Sequence, residues 1–323
     1  MKNYFNFVLD GKKLFVVWFF FLVFFVLPYV LITLNIKDIR LDVGPSLLII
    51  LAFFLLILVS FVIAFYITKL VIEGLQYKDK TLVFNGTFGK YLGIILLGYF
   101  LSIITLGIYM AWFIKDIYRF FIDNTSYNSQ NLQFKAKGGK LFLLILLLLF
   151  LPVLILSLIT YSGFMINPTD NFAGLPLFYT FVNQIIVLII MIPFFYLFYK
   201  WFVNIDYKDM NISWRTEFWP SCGKIAIELL LSLITVGIYY PLAIIRLYKY
   251  FTEKTRAIGN SRELKFNYDI DQGGDFLFIW GQILLTIITA GIYYPWAFCK
   301  ITRRVLSKTY TEEDLPKKEF VQL

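Results

Sequence analysis

The sequence has no histidine and only two cysteines, and just 16% of its residues are charged. Without histidine, the usual zinc, haem and general-base arrangements lose their commonest side chain. Two cysteines as distant as Cys222 and Cys299 are no disulfide framework, and both read as free thiols. No G-x-x-x-x-G-K-[ST] phosphate loop is present. No carboxylates cluster, and a lone serine or cysteine without a base is no nucleophile. The chain is therefore not expected to be an enzyme, and no metal, cofactor or nucleic-acid partner is implied. Soluble domains carry about 25% charged residues, so the low charge also argues against a soluble fold.

What fills the chain instead is apolar: 59% hydrophobic and 20% aromatic residues over 323 positions. Seven apolar segments stand out, Leu14–Leu34, Leu47–Thr68, Tyr91–Ile114, Leu141–Tyr161, Leu177–Tyr199, Ile225–Ile245 and Phe276–Phe298. A bilayer crossing needs about 20 such residues. The first segment is longer than a signal-peptide core and lacks an A-x-A site, so it reads as a retained span.

One phrase occurs three times: I-T-L-G-I-Y at Ile104–Tyr109, I-T-V-G-I-Y at Ile234–Tyr239 and I-T-A-G-I-Y at Ile288–Tyr293. Each copy lies inside an apolar segment. Gly107, Gly237 and Gly291 sit where a helix would stop, and Pro241 and Pro295 four residues later sit where the next would start. Each segment therefore reads as broken near its middle, either a kinked span or two arms that go down to the glycine and back. Thr105, Thr235 and Thr289, two residues before each glycine, are placed to bond a freed carbonyl.

Charge separates the alternatives. With seven spans, lysine and arginine divide 13 to 17 across the membrane, which sets no orientation. With three re-entrant hairpins, only loops 35–46 and 162–176 face out, carrying Lys37 and Arg40, and the other 28 of 30 basic residues lie inside. The second arrangement satisfies the positive-inside rule. Five short alternating runs follow the same logic: Phe5–Leu9, Leu82–Phe84, Leu132–Phe134, Ile212–Trp214 and Leu264–Tyr268 read as strands. In the hairpin arrangement all five are cytoplasmic and able to pair.

The expected fold is a mainly α, polytopic membrane bundle with internal repeats, broken or re-entrant helices and short cytoplasmic β-strands, with both termini in the cytoplasm. It divides into 1–79 (strand and two spans), 80–200 and 201–305 (repeat units), and a polar tail, 306–323.

At these residues the chain resembles a known family. The run Leu285–Ala297 looks like the signature of the YjgN-like bacterial inner-membrane proteins, a domain family of unknown function, and Ile104–Trp112 with Phe134 and Gly138-Gly139 is a second match. The copy at Ile234–Leu242 departs by having Leu242 for tryptophan, and the first copy has Ala111 for proline. The resemblance implies an inner-membrane protein and no particular activity.

Candidate sites follow. Glu228 is the one acidic residue well inside an apolar run, a place that often marks an ion pathway. Lys224 offers it a plainer i,i+4 partner. Asn183 and Gln184 lie within the fifth segment, where amides contact a substrate or bond neighbouring helices. Lys115 and Arg119, Arg246 and Lys249, and Lys300 with Arg303 and Arg304 follow the three breaks. They read as snorkelling anchors or as sites for anionic lipid headgroups. Tyr109, Tyr239 and Tyr293 complete the break motif, and Trp112 and Trp296 follow it by five residues. The favoured function is a transporter- or channel-like protein for a small solute or ion, by analogy with broken-helix transporters. The alternative is a membrane scaffold or anionic-lipid-binding protein; a membrane enzyme ranks last. The bilayer is the expected partner.

Overall fold

The structure is a computed structural model that describes residues 2–35, 47–166, 177–260 and 262–314. The loops expected to face outward, with Lys37, Arg40 and Asp170, lie outside the described residues apart from their helical edges. So does the second half of the C-terminal tail. The helices are α1 (Gly11–Phe21), α2 (Leu27–Asn35), α3 (Leu47–Gly74), α4 (Phe88–Ile104), α5 (Met110–Asp123), α6 (Gly138–Ile145), α7 (Leu151–Ile166), α8 (Leu177–Phe202), α9 (Phe218–Ile234), α10 (Tyr240–Lys254), α11 (Gln272–Ile288) and α12 (Tyr294–Leu306). The strands are β1 (Lys2–Phe7), β2 (Leu75–Tyr77), β3 (Lys80–Thr81), β4 (Val83–Phe84), β5 (Thr125–Tyr127), β6 (Gln130–Asn131), β7 (Gln133–Phe134), β8 (Asn204–Tyr207), β9 (Met210–Trp214), β10 (Thr255–Ile258), β11 (Glu263–Tyr268) and β12 (Thr309–Asp314).

Among the described residues four helical stretches are long and apolar enough to cross a membrane: Gly11–Leu34, Ile49–Gly74, Gly138–Leu158 and Val182–Phe202. Two of them carry a π-helical turn. Leu22–Val26 joins α1 to α2 and Leu146–Phe150 joins α6 to α7, with the Leu27 and Leu151 amides bonding five residues back. Pro28 and Pro152 come next in sequence. A proline has no amide to donate and its ring displaces the carbonyl four residues before it, so the ladder slips one register upstream.

The three repeat-bearing segments do not continue through their glycines. Each is a pair of helices, α4/α5, α9/α10 and α11/α12, that reverses direction at the phrase. Contacts at the open ends show the return. Tyr91 packs against Phe120 and Phe121 with tilted rings whose centroids lie 5.6 and 5.3 Å away. Ser221 Oγ lies 3.2 Å from Tyr250 OH, and Arg304 Nε donates to Asp275 at 2.7 Å. Each segment thus enters and leaves at one end. The entering arms hold 17 residues each, about 25 Å of helix.

All five expected strands are present, as β1, β4, β7, β9 and β11, but the β content is larger than expected. Of the seven additional strands, β2, β5, β8, β10 and β12 each follow a helix end, so the segments between membrane elements are β-hairpins. Lys78-Asp79 and Asn128-Ser129 connect two of these hairpins with positive φ at both residues, the turn that matches strand twist.

Two compact units make up the chain, and neither is continuous in sequence. The first gathers Met1–Ile95, Phe120–Leu132 and Asn267–Glu312, the second Leu96–Arg119, Gln133–Phe266 and Glu313–Leu323. The first unit holds strands in the order β3-β2-β1-β12 and a separate three-stranded sheet, β4-β5-β6. β1 is antiparallel to both neighbours, with Lys2 opposite Glu312 and Phe5 opposite Tyr77. The second holds β11-β10-β9-β8-β7. In the first unit Phe7, Leu9, Leu14 and Cys299 form a core where β1 meets α1 and α12. In the second Ile192, Tyr196, Cys222 and Ile225 form one between α8 and α9.

Candidate functional site

The three breaks share one local design. The residue before each glycine, Leu106, Val236 or Ala290, has φ near +50°, and the glycine itself has φ of 89°, 83° or 86°. Two successive left-handed residues end the helix, and only glycine takes the second of these conformations without strain. The glycine amide bonds the carbonyl five residues back, Ser102, Ser232 or Thr286, at 2.7–2.8 Å. The threonine hydroxyl closes the turn from both sides. Thr105, Thr235 and Thr289 donate to the carbonyls of Leu101, Leu231 and Leu285. Each also accepts the amide of Tyr109, Tyr239 or Tyr293 at 3.0 Å. A backbone break at membrane depth must satisfy its freed groups within the protein, and here the phrase does so with its own side chain. One carbonyl gains a further donor, the indole of Trp18, 2.9 Å from Gly291 O. The turn tips are apolar and uncovered, with Leu106 94% and Val236 90% exposed. Pro241 and Pro295 start the returning helices and are fully buried.

Behind each turn the tyrosine hydroxyl joins the two arms, and the three copies differ in what it joins. In the second copy Tyr239 OH donates to Glu228 Oε2 at 2.7 Å and accepts from Arg246 at 2.7 Å. Lys224 Nζ lies 2.6 Å from the other carboxylate oxygen. Glu228 is 1% exposed, and the side chains that bond it, Lys224 and Tyr239, belong to its own hairpin. In the third copy Tyr293 OH donates to Gln282 Oε1 and accepts from Lys300, both at 2.9 Å. In the first copy the position of Glu228 and Gln282 is Gly98, and the Phe113 ring fills the space a Cβ would need. There Tyr109 OH donates to Asp116 at 3.4 Å, and Asp116 pairs with Lys115. The counterpart of Arg246 and Lys300 is therefore Asp116, a correction to the grouping that placed Lys115 with them. Lys115 precedes that position by one residue.

The remaining candidate cations have divided roles. Arg303 donates to the carbonyls of Phe7 and Leu9, tying α12 to the β1–α1 connection. Arg304 and Lys308 both hold Asp275, which also accepts from Tyr268 and the Asp271 amide. Burial pushes the Asp275 carboxyl up, but these hydrogen bonds prevail and hold it below the usual carboxylate range. Lys249 makes an exposed pair with Glu253 at 3.6 Å, and Arg119 also has internal contacts. Asn183 is half-buried and Gln184 exposed; the side chains that bond Glu228 are Lys224 and Tyr239, not these amides. Among the described residues no group of three or more Cys, Asp and Glu side chains could hold a metal ion.

Trp112 and Trp296 prove to be packing residues. A Cβ on Gly138 would lie 2.6 Å from Trp112 Cδ1, and one on Gly11 the same distance from Trp296 Cδ1. Each tryptophan thus seats a hairpin on the first residue of a long helix in its own unit. The second copy has Leu242 here. Sequence reasoning singled out both tryptophans but missed their glycine partners, along with Asp275, Asp116 and the Trp18 bond. Only Asp116 was recoverable, by counting nine residues from each glycine.

Comparison with known proteins gives the following. "Inner membrane protein YjgN" of Salmonella typhimurium is 40% identical over 92 residues, 28% of this chain and 23% of that protein. The Escherichia coli K12 protein of the same name is 31% identical over 90 residues, with the same coverage. The aligned part of the chain thus spans about a quarter of the length of these curated relatives. No solved structure matches. A family model described as "Bacterial protein of unknown function (DUF898)" matches residues 79–256, more than half of the chain, including the first two hairpins and the helices between them. The chain belongs to this family.

Proposed function

We propose that this is an integral protein of the bacterial inner membrane, with both termini cytoplasmic, that acts on the lipid of the cytoplasmic leaflet. In this reading four helices span, and three hairpins enter the leaflet from the cytoplasmic side and leave again. Their cationic exits, among them Lys249 and Lys300, meet anionic headgroups. Membrane scaffolding follows, not transport. The observation that carries the reading is the pairing of uncovered apolar tips (Leu106, Val236) with polar groups that satisfy one another inside each hairpin. A transport path asks Glu228 and Asn183-Gln184 to share a polar cavity, and Glu228 is instead closed off by Lys224 and Tyr239. The names of the YjgN relatives support the inner membrane.

The topology is tested with single cysteines at Asn131, Asp209 and Asn260, exposed positions in three of the β-hairpins, in a Cys222→Ser/Cys299→Ser background. All three should resist an impermeant thiol reagent in intact cells and react after permeabilisation, while a cysteine at Asp38 reacts from outside. External labelling of any of the three overturns the arrangement. The activity is tested by reconstitution into vesicles of phosphatidylethanolamine and phosphatidylglycerol. Protein-dependent curvature seen by cryo-electron microscopy is expected; unchanged vesicles with a solute-selective flux would restore the transporter.

A further inference from the structure

Within the first unit, α1 with its π-turn and α3 part to leave a cleft of about 420 Å³. One wall is Val16, Phe20 and Phe24, the other Val59, Val62 and Tyr66, and no polar atom contributes to its surface. The wall residues from Val16 to Phe24 run over eight positions, about 12 Å of helix axis. One leaflet's hydrocarbon is about 15 Å deep, half of the bilayer core. The cleft opens to the side, and Val16, Phe20, Phe24 and Tyr66 are each about half exposed. Left empty, it would forfeit dispersion contacts along both walls. In a bilayer the filler available at that depth is an acyl chain.

The two ends of the cleft differ. Lys12 and Lys13 precede Val16 by four and three residues, and Lys69 follows Tyr66 by three. These spacings put the lysines on the cleft faces of α1 and α3. α1 begins at β1 and α3 runs into β2, and these strands pair, so all three cations sit at the same, strand-proximal end. Lys12 and Lys13 are exposed. Among the described residues Lys69 is held only by an exposed contact with Glu73 at 3.9 Å, the weakest kind of ion pair. A dry slot of one leaflet's depth with three loosely held cations at its mouth matches the chemistry of an anionic phospholipid.

We propose that this cleft is a binding site for one anionic phospholipid, with an acyl chain between α1 and α3 and the headgroup phosphate on Lys12, Lys13 and Lys69. The proposal rests on the lipid-directed reading above and adds a defined site to it. Because the cleft lies away from the hairpin tips along the chain, it can be tested separately.

The experiment uses the full chain in phosphatidylethanolamine vesicles carrying a small fraction of phosphatidylglycerol with a photoreactive diazirine on one acyl chain. Adducts are mapped by peptide mass spectrometry. They should concentrate on residues 16–24 and 59–66. Val62→Phe, which fills the slot, should lower that labelling about tenfold while the thermal transition persists. Lys13→Gln/Lys69→Gln leaves the core untouched; it should cut the preference for phosphatidylglycerol over phosphatidylcholine about fivefold per lysine. Adducts spread evenly over the four spanning helices overturn the proposal, as does a lipid preference that survives the lysine changes. Crosslinking of residues 59–66 to a second copy of the chain in place of lipid also overturns it. Cleft labelling in vesicles that keep their shape would sink the leaflet-wedge reading and leave the site standing. Reshaped vesicles without cleft labelling would do the reverse.

Discussion

The tightest contact that seats a hairpin on a membrane helix is Gly11 against Trp296, and a double-mutant cycle measures it. In Gly11→Ala the new Cβ would lie 2.6 Å from Cδ1, 2.9 Å from Cγ and 3.0 Å from the backbone Cα of Trp296. The ring can turn away from the first two atoms, but the third cannot move without shifting α12. Overpacking of this kind costs about 1–3 kcal/mol. Trp296→Ala alone removes a half-buried ring that also packs on Phe15, centroids 5.0 Å apart, and should cost about 2 kcal/mol after scaling a full core truncation for exposure. With both changes most of the clash is gone, so the double variant should be less destabilised than the sum by about 1–2 kcal/mol. Denaturant unfolding in mixed micelles, followed by tryptophan fluorescence, gives the four stabilities. Gly138 and Trp112 form a second, independent cycle. There the three nearest atoms all belong to the side chain, so Gly138→Ala should cost less than Gly11→Ala. Additivity within about 0.5 kcal/mol at Gly11, the behaviour of uncoupled sites, would refute the account, and so would the reverse ranking of the two glycines.

Other consequences can be checked with the same assay. Thr235→Val strips the Tyr239 amide of its acceptor and should cost about 1–3 kcal/mol, whereas Thr33→Val, which loses only a donated bond on an exposed helix face, should change little; equal effects would deny the threonine its role in the turn. Gly237→Ala meets no atom within 4 Å, so its cost, about 1–2 kcal/mol, should come from the positive φ alone. Glu228→Gln keeps an acceptor for Tyr239, as Gln282 is for Tyr293, and should be milder than Glu228→Leu by about 1 kcal/mol; equal costs would mean that the carboxylate charge, not the acceptor, is what matters. Asp275 has a folded pKa below its unfolded one. Its contribution is therefore complete above the ordinary carboxylate value, about 3.9, and is lost as pH falls through the lower folded value. The thermal midpoint of Asp275→Asn should approach that of the wild type below about pH 4; a constant gap from pH 7 to pH 3 would contradict this.

Much of the architecture was legible because membranes demand long apolar runs. Ile49–Gly74 and Val182–Phe202 could hardly be read otherwise. The breaks were legible because glycine, threonine and proline carry local geometry in their side chains. α3 runs on past Thr68 to Gly74 because Leu70 and Val71 still pack on the Phe7 core, a contact with a distant strand that the apolar run does not announce. The strands β5 and β8 escaped notice because Thr125–Tyr127 and Asn204–Tyr207 are short and mostly polar, and pairing, not propensity, makes them strands. The glycine–tryptophan seats join residues 26 and 285 positions apart, and no local pattern in one sequence announces such a pair. Lys115 drew attention as a cation, whereas the tyrosine hydroxyl selects Asp116 one position on, and a helix turns about 100° per residue.

The threonine clasp bears on how this chain could have grown. Nearly every group freed by the break is answered within a dozen residues, so a copy of the phrase brings its own solution wherever it is inserted. Duplication then needs no matching change in the surrounding bundle, only a small residue where a tryptophan is to land. Three hairpins differing in the residue behind the turn, Gly98, Glu228 and Gln282, are what such a self-contained part leaves behind once its copies drift under separate constraints.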